Sequence, residues 1–109
     1  MKKIILLASF IAISTTLVAS AAEPKALWGT ACARCHGADG KGQTSIGHLL
    51  GAKDYTDPAV QSALTDDAAF KATKEGFTTK EGKNVMKPAT NLSDGDIKGL
   101  VAYMRTFKK

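Results

Sequence analysis

Cys32 and Cys35 lie three residues apart, and His36 follows the second cysteine directly, in the sequence CARCH. This spacing is the pattern that attaches a haem covalently through two cysteines. On a helical turn, positions i, i+3 and i+4 share one face. Both cysteines can therefore reach the vinyl groups of one porphyrin, while a neutral imidazole beneath the ring binds the iron. The chain has no other cysteine, so the motif predicts one covalent haem c with its iron.

Three other uses of the two cysteines explain less of the sequence. A disulfide between Cys32 and Cys35 suits an exported chain, but it leaves the adjacent His36 without a role. A thioredoxin-like redox pair needs a βαβ context, whereas the glycine-rich residues 37–42 are typical of a flexible loop. A zinc site needs a fourth ligand, and His48 is the only further histidine in the chain.

The first 22 residues have the composition of a secretory signal peptide. Lys2 and Lys3 give a positive start, residues 4–18 are apolar and uncharged, and residues 19–22 are small. Cleavage after residue 21 and cleavage after residue 22 both satisfy the small-x-small rule. The apolar run is shorter than the ~20 residues of a membrane span. We therefore expect export, for example to the periplasm, and no stable membrane insertion after cleavage.

Residues 23–109 are enough for one domain only. A chain of this size buries a modest core, and a haem would give short helices a large apolar surface to pack around. The formal net charge of +5 falls to +3 without Lys2 and Lys3. The remaining lysines are scattered, which gives no support to nucleic-acid binding. Some of them can instead steer acidic redox partners to an exposed haem edge, and we expect a monomer.

Strand signals are nearly absent after the signal segment, so the sequence predicts an all-α fold with long loops. A first helix is predicted over residues 24–36, followed by a loop over residues 37–53. Capping residues then predict the starts of three more helices. These starts lie at Asp57, at Thr65 and at Ser93, with a polar loop over residues 77–91 before the last helix. Apolar residues at helical spacing mark that helix, namely Ile97, Leu100, Val101 and Met104.

A haem held by one histidine has a second axial position, which a methionine or another histidine can fill. Met104 lies on the apolar stripe of the last helix, where core packing explains it. Met86 lies in a polar segment, in the sequence KNVMKP, where an apolar side chain needs a partner, and Pro88 excludes a helix through that point. His48 lies in a polar loop and is the weaker candidate. The sequence therefore predicts Met86 as the sixth ligand.

Taken in order, these features resemble a small class I cytochrome c, of the single-domain, exported bacterial kind. The resemblance covers residues 27–108, and haem attachment in that family takes place outside the cytoplasm. The segments that carry it are residues 32–37, 40–44, 50–56, 86–88 and 92–105. One departure is that residues 44–47 contain no proline. The family often has a proline in this stretch whose carbonyl orients the proximal imidazole, so the hydrogen-bond partner of His36 stays open.

The resemblance implies an all-α cytochrome c fold, with four or so helices around one covalently bound haem. Trp28 and Tyr103 would lie near the crossing of the first and last helices. The implied roles are thioether bonds for Cys32 and Cys35, the proximal ligand for His36, the distal ligand for Met86 and a propionate hydrogen bond for Tyr55.

The expected function is that of a soluble monohaem electron carrier, not an enzyme, which docks transiently with redox proteins at the haem edge. Two alternatives stay open. One is a five-coordinate haem protein that binds a small ligand or peroxide. The other is a dedicated haem subunit of a dehydrogenase or oxidase complex.

Overall fold

The computed structural model describes residue 9, residues 11–14 and residues 23–109. The predicted signal peptide therefore lies mostly outside the described residues. Within them, none of the helices is long and apolar enough to cross a membrane. The elements follow in the order α1 (Pro24–Ala31), α2 (Ala33–His36), α3 (Ser45–Leu50), α4 (Pro58–Ala63), α5 (Asp66–Glu75), β1 (Phe77–Thr78), β2 (Asn84–Met86) and α6 (Asp94–Arg105).

The core lies between the first and last helices, as the spacing in the sequence predicts. Trp28 of α1 packs against Leu100, Val101 and Met104 of α6, and all four are buried. A methyl group added to Gly99 would lie 3.2 Å from the Pro24 ring, which shows how closely α6 approaches α1. Tyr103 packs beside Trp28, with ring centroids 5.9 Å apart. The expected position of Trp28 and Tyr103 near the crossing of the first and last helices is confirmed.

Side-chain caps define the starts of the later helices, and all three predicted caps are confirmed. Asp57 accepts a hydrogen bond from the backbone of α4, and Thr65 does the same for α5. Ser93 and Asp96 form a reciprocal capping box at the start of α6. These caps satisfy backbone N–H groups that have no partner within the helix.

The helix predicted over residues 24–36 is divided into α1 and α2. The break falls at Cys32, whose backbone angles (φ −121°, ψ −35°) leave the helical range. The chain continues in the same direction, because the N–H of Cys32 still donates to the Trp28 carbonyl at 2.9 Å. The helices α1 and α2 therefore position the cysteine motif almost as a single continuous helix would.

The predicted loop over residues 37–53 contains an additional helix, α3. Thr44 caps it, and its hydroxyl also donates to the Cys35 carbonyl at 2.7 Å. A Cβ at position 47 would clash with that carbonyl, so α3 can pack directly on the cysteine motif because this residue is a glycine. The signal was missed because a six-residue helix shows less than two turns of periodicity.

The predicted polar loop over residues 77–91 contains the hairpin of β1 and β2, which pair antiparallel with Phe77 opposite Met86. The hairpin is short and irregular, and this explains why no alternating pattern marks it in the sequence. The all-α class is otherwise confirmed. The described residues form six short helices, where about four were expected.

Candidate haem site

An apolar cleft opens between the cysteine motif, α5 and α6. Cys32, His36, Tyr55 and Met86, four of the five predicted site residues, line this cleft. Much of the remaining wall is aliphatic and includes Leu64, Leu100 and Val101. Cys35, the fifth predicted residue, is half-buried on α2, beside the residues that line the cleft. The structure therefore brings together residues that are up to 54 positions apart in the sequence.

The cysteine motif forms a tight helical turn. The N–H groups of Cys35 and His36 both donate to the Cys32 carbonyl, at 3.2 and 3.0 Å. Both cysteines are free thiols. Burial, and then the nearby Cys35, raises the pKa of Cys32 to about 11. A redox-active cysteine pair needs a lowered pKa, so the environment of Cys32 disfavours the thioredoxin-like alternative.

A zinc site also finds no support in the structure. His48, the further histidine that such a site would need, is exposed on α3 and does not line the cleft. Across residues 23–109 and the other described positions, no three His, Cys, Asp or Glu side chains come close enough to hold a metal ion. Iron carried in a porphyrin needs only axial ligands from the protein, and this set of residues can provide them.

His36 has the properties of an axial ligand. Burial lowers the pKa of its imidazole, which favours the neutral form that binds metals. Its Nδ1 is buried without a hydrogen-bond partner, and no other buried side-chain nitrogen or oxygen in the described part of the chain is left in that state. Buried polar atoms are nearly always paired. A buried, neutral imidazole beside two cysteine thiols fits a haem. The unpaired Nδ1 shows in addition that no protein carbonyl takes the place of the one that the family's proline often provides.

Two aromatic rings hold the His36 imidazole in place. The Trp28 ring lies 5.7 Å from it, and the Tyr55 ring stacks on it at 5.3 Å with an interplanar angle of 27°. The indole N–H of Trp28 donates to the Gly37 carbonyl at 2.9 Å, directly after the motif. Burial, and then the nearby Cys32, raises the pKa of Tyr55, so its hydroxyl keeps its proton. The propionate hydrogen bond of Tyr55 stays a prediction.

Met86 reaches the cleft from the end of β2. The segment is positioned from α5, because the N–H of Ala89 donates to the Thr73 carbonyl at 2.9 Å. A side chain at Gly76 would lie 2.7 Å from the Met86 carbonyl, so the end of α5 also approaches this strand closely. Met104 lines the same cleft, but it belongs to the buried core cluster. Met86 is therefore the methionine outside the core that faces the cleft.

A polar network between α4 and α6, behind the cleft, is not predicted by the sequence. The side chain of Gln61 is buried and bonds to Arg105, although the two residues are 44 positions apart. No local pattern relates them, and a glutamine in a short helix carries no signal of burial. Only the fold shows that they meet.

A helical domain in which a CxxCH turn and a separate methionine line one apolar cleft has the site of a c-type cytochrome. Comparison with known proteins agrees. Residues 19–104 match the family described as cytochrome c oxidase, cbb3-type, subunit III. Cytochrome c-554(547) of Halothiobacillus neapolitanus is 34% identical over 94 residues, which cover 81% of this chain and 97% of that protein.

Two solved structures share the fold. The c-type cytochrome KustC0563 superposes with a TM-score of 0.69 at 32% identity, over 81% of this chain and all of that one. A tyrosine-to-phenylalanine variant of Kustc0563 gives a TM-score of 0.66 at 32% identity, over 80% of this chain and all of the other. The chain belongs to this family of small class I c-type cytochromes. It is an electron-transfer haem protein with covalently bound haem c and its iron.

Proposed function

We propose that residues 23–109 form a soluble monohaem cytochrome that carries one electron at a time between redox proteins outside the cytoplasm. The observation that carries this proposal is that His36 and Met86 line one cleft, in a chain whose cysteines form a haem-attachment turn. Iron bound by both of these side chains would have no coordination position left for a substrate. We therefore propose that the protein is an electron carrier and not an enzyme.

Each predicted site residue has a role in this proposal. Cys32 and Cys35 would hold the haem through thioether bonds, and His36 and Met86 would bind its iron. The bound iron supplies reversible one-electron chemistry, and a histidine–methionine pair raises its potential. The protein residues bind the group, orient it and keep water away from it.

The lining of the cleft supports a carrier over a haem enzyme. Among the described residues that line it, none is a carboxylate, a lysine or an arginine, and His36 is the one imidazole. An enzyme that activates peroxide needs a positioned acid or base on the open side of the haem. The aliphatic wall of Leu64, Leu100 and Val101 provides none.

Docking of redox partners is proposed near the hairpin. Phe77 lies opposite Met86 and is 51% exposed, and Lys83 and Lys87 are exposed on either side of Met86. An apolar contact with lysines around it favours acidic partners. Encounters of this kind are small and weaken as salt is added. A monomeric protein is sufficient for this function.

Mass spectrometry of the purified, exported protein tests the proposal. The expected mass is that of a chain that begins at residue 22 or 23, with one haem added covalently. Replacement of both Cys32 and Cys35 by alanine should remove the added mass. A wild-type chain without haem, or with an intact leader, would contradict the proposed domain boundaries or the site.

Cyanide binding separates the carrier from the five-coordinate alternative. Met86 closes the second axial position in our proposal, so the folded ferric protein should bind cyanide slowly. The Met86→Ala variant should bind it much faster, because its axial position is open. Fast binding by wild type would favour the ligand-binding protein.

One observation favours a second candidate, a haem subunit of a larger complex. The matching family is described as a subunit of an oxidase. Cytochrome c-554(547), however, is matched over 97% of its length by this chain, so the relative has no additional domain of any size. Purification from native extracts decides between the candidates. A carrier should elute alone at monomer size, whereas a subunit should co-elute with other chains at a fixed ratio.

A further inference from the structure

Gln61 is the one polar side chain that is buried among the described residues, and it is only 5% exposed. Its Nε2 donates to the Tyr55 carbonyl at 2.7 Å and to the Met104 carbonyl at 3.1 Å. Its Oε1 accepts from Nη1 of Arg105 at 2.8 Å. Both amide hydrogens and the amide oxygen are therefore used. A buried amide with every group paired is positioned to hold its partners in one arrangement.

Arg105 extends this network across three elements. Its Nη1 also donates to the Gln61 carbonyl at 2.7 Å, and its Nη2 donates to the Leu64 carbonyl. Its Nε donates to Asp66 Oδ1 at 2.9 Å, at the start of α5. The planar guanidinium offers its donors in a rigid fork. One side chain of α6 therefore holds the end of α4, the linker after it and the start of α5.

The network lies directly behind the haem cleft. Three backbone carbonyls that it holds belong to Tyr55, Leu64 and Met104, and each of these residues lines the cleft. An apolar residue at position 61 could fill the same space, but it could not bond to any carbonyl. Gln61 and Arg105 therefore hydrogen-bond to the backbone of three residues that line this wall of the cleft.

Tyr55 is the residue on which the network acts most directly. Its N–H donates to the Gly40 carbonyl at 2.8 Å, while its carbonyl accepts from Gln61. Its backbone is thus held on one side by the loop after the cysteine motif and on the other by the network. Its ring stacks on His36. A displacement of the Tyr55 backbone would move its ring and hydroxyl relative to the axial histidine.

We infer that Gln61 is a positioning residue that, together with Arg105, holds Tyr55 in place and thereby sets the reduction potential of the haem. The inference rests on the proposed function, since it concerns the same cleft. A protein tunes a haem through hydrogen bonds around the ligands and through the burial of the site. Gln61 acts on both from outside the cleft, because it places the Tyr55 hydroxyl and closes this wall.

The test is the reduction potential of the holoprotein in a double-mutant cycle. Gln61→Glu keeps the size of the side chain and an oxygen that can accept from Arg105. An ionised carboxylate has no N–H group, so the hydrogen bonds to the Tyr55 and Met104 carbonyls are lost. Gln43→Glu makes the same change of charge at an exposed position and is the matched control. We expect Gln61→Glu to lower the potential more than Gln43→Glu does. The excess should shrink in a Tyr55→Phe background, because that background lacks the hydroxyl.

Arg105→Lys is a second variant that keeps the charge and removes the fork. It should shift the potential in the same direction as Gln61→Glu and lose most of that shift in the Tyr55→Phe background. Wild-type potentials in both variants, even with lower stability, would show that the network serves folding alone. An equal shift with and without the Tyr55 hydroxyl would also overturn the inference.

The remaining outcomes are also informative. Failure of both variants to give folded holoprotein would count against the inference, because the network would then be needed for the whole fold. The proposed function is tested separately, by the covalent haem and the cyanide response of the wild type. A wild type that meets those tests while the variants keep its potential would refute this inference alone.

Discussion

The junction of α1 with α6 and the hairpin of β1 and β2 both contribute to the haem cleft, but they are held in different ways. At the junction, Trp28 and Leu100 are 5% and 3% exposed, and side chains of the polypeptide fill the space between the helices. The hairpin, residues 77–86, contributes no buried residue, and its Phe77 is 51% exposed. A hairpin of two short strands has little stability by itself in water.

From this difference we expect the junction to pack with side chains of the polypeptide alone, and the hairpin to depend more on the bound haem. The junction places the cysteine motif, because Trp28 packs on α6 and bonds to the Gly37 carbonyl after the motif. The hairpin places Met86, whose bond to iron would in turn hold the hairpin. We therefore expect the methionine side to be less stable than the junction when the haem is absent.

The largest effect is expected from removing the haem. In the Cys32→Ala, Cys35→Ala double variant, no covalent haem should remain, and hydrogen exchange should separate the two regions. Amides of α6 should keep more protection than those of β2, because the α6 side chains still pack on Trp28. The holoprotein is the reference. Equal loss of protection in the two regions would remove the distinction between them.

The second-largest effect is expected from shortening one apolar side chain in each region. Leu100→Ala should reduce the free energy of unfolding by about 2–5 kcal/mol, as expected for a buried leucine. Val85→Ala, in the hairpin, should cost less than about 1 kcal/mol because that side chain is only half-buried. Guanidinium titration of the two holoproteins measures both values. Similar costs would mean that the hairpin is packed as firmly as the junction.

A smaller effect is expected at the start of α6. Ser93→Ala removes the hydroxyl that accepts from the Asp96 N–H at 3.1 Å and should cost about 1 kcal/mol. Ser62→Ala is the control, because Ser62 is exposed within α4 and caps nothing. Its effect should be close to zero. Equal costs in thermal unfolding would show that the cap does not stabilise the junction.

The sequence predicts the junction better than the hairpin, for a physical reason. Helix caps and helical spacing are local, so Ser93 and the apolar stripe of α6 locate that helix before its partner is known. The CARCH motif is equally local. The hairpin and α3 are too short to show a clear periodic pattern, and the bond between Gln61 and Arg105 joins residues 44 positions apart. The sequence predicts Met86 as a ligand because an apolar side chain is unexpected in a polar segment. No pattern in the sequence marks the strand that carries it.

The central claim is that Met86, from the less firmly held region, would bind the haem iron together with His36. The ferric absorption spectrum tests it most directly, through the weak band near the red end that sulfur-to-iron charge transfer produces. Met86→Leu and Met104→Leu conserve volume and form a matched pair. We predict that the band is present in wild type and in Met104→Leu and absent from Met86→Leu. A folded wild type without the band, or a Met86→Leu variant that retains it, would contradict the account.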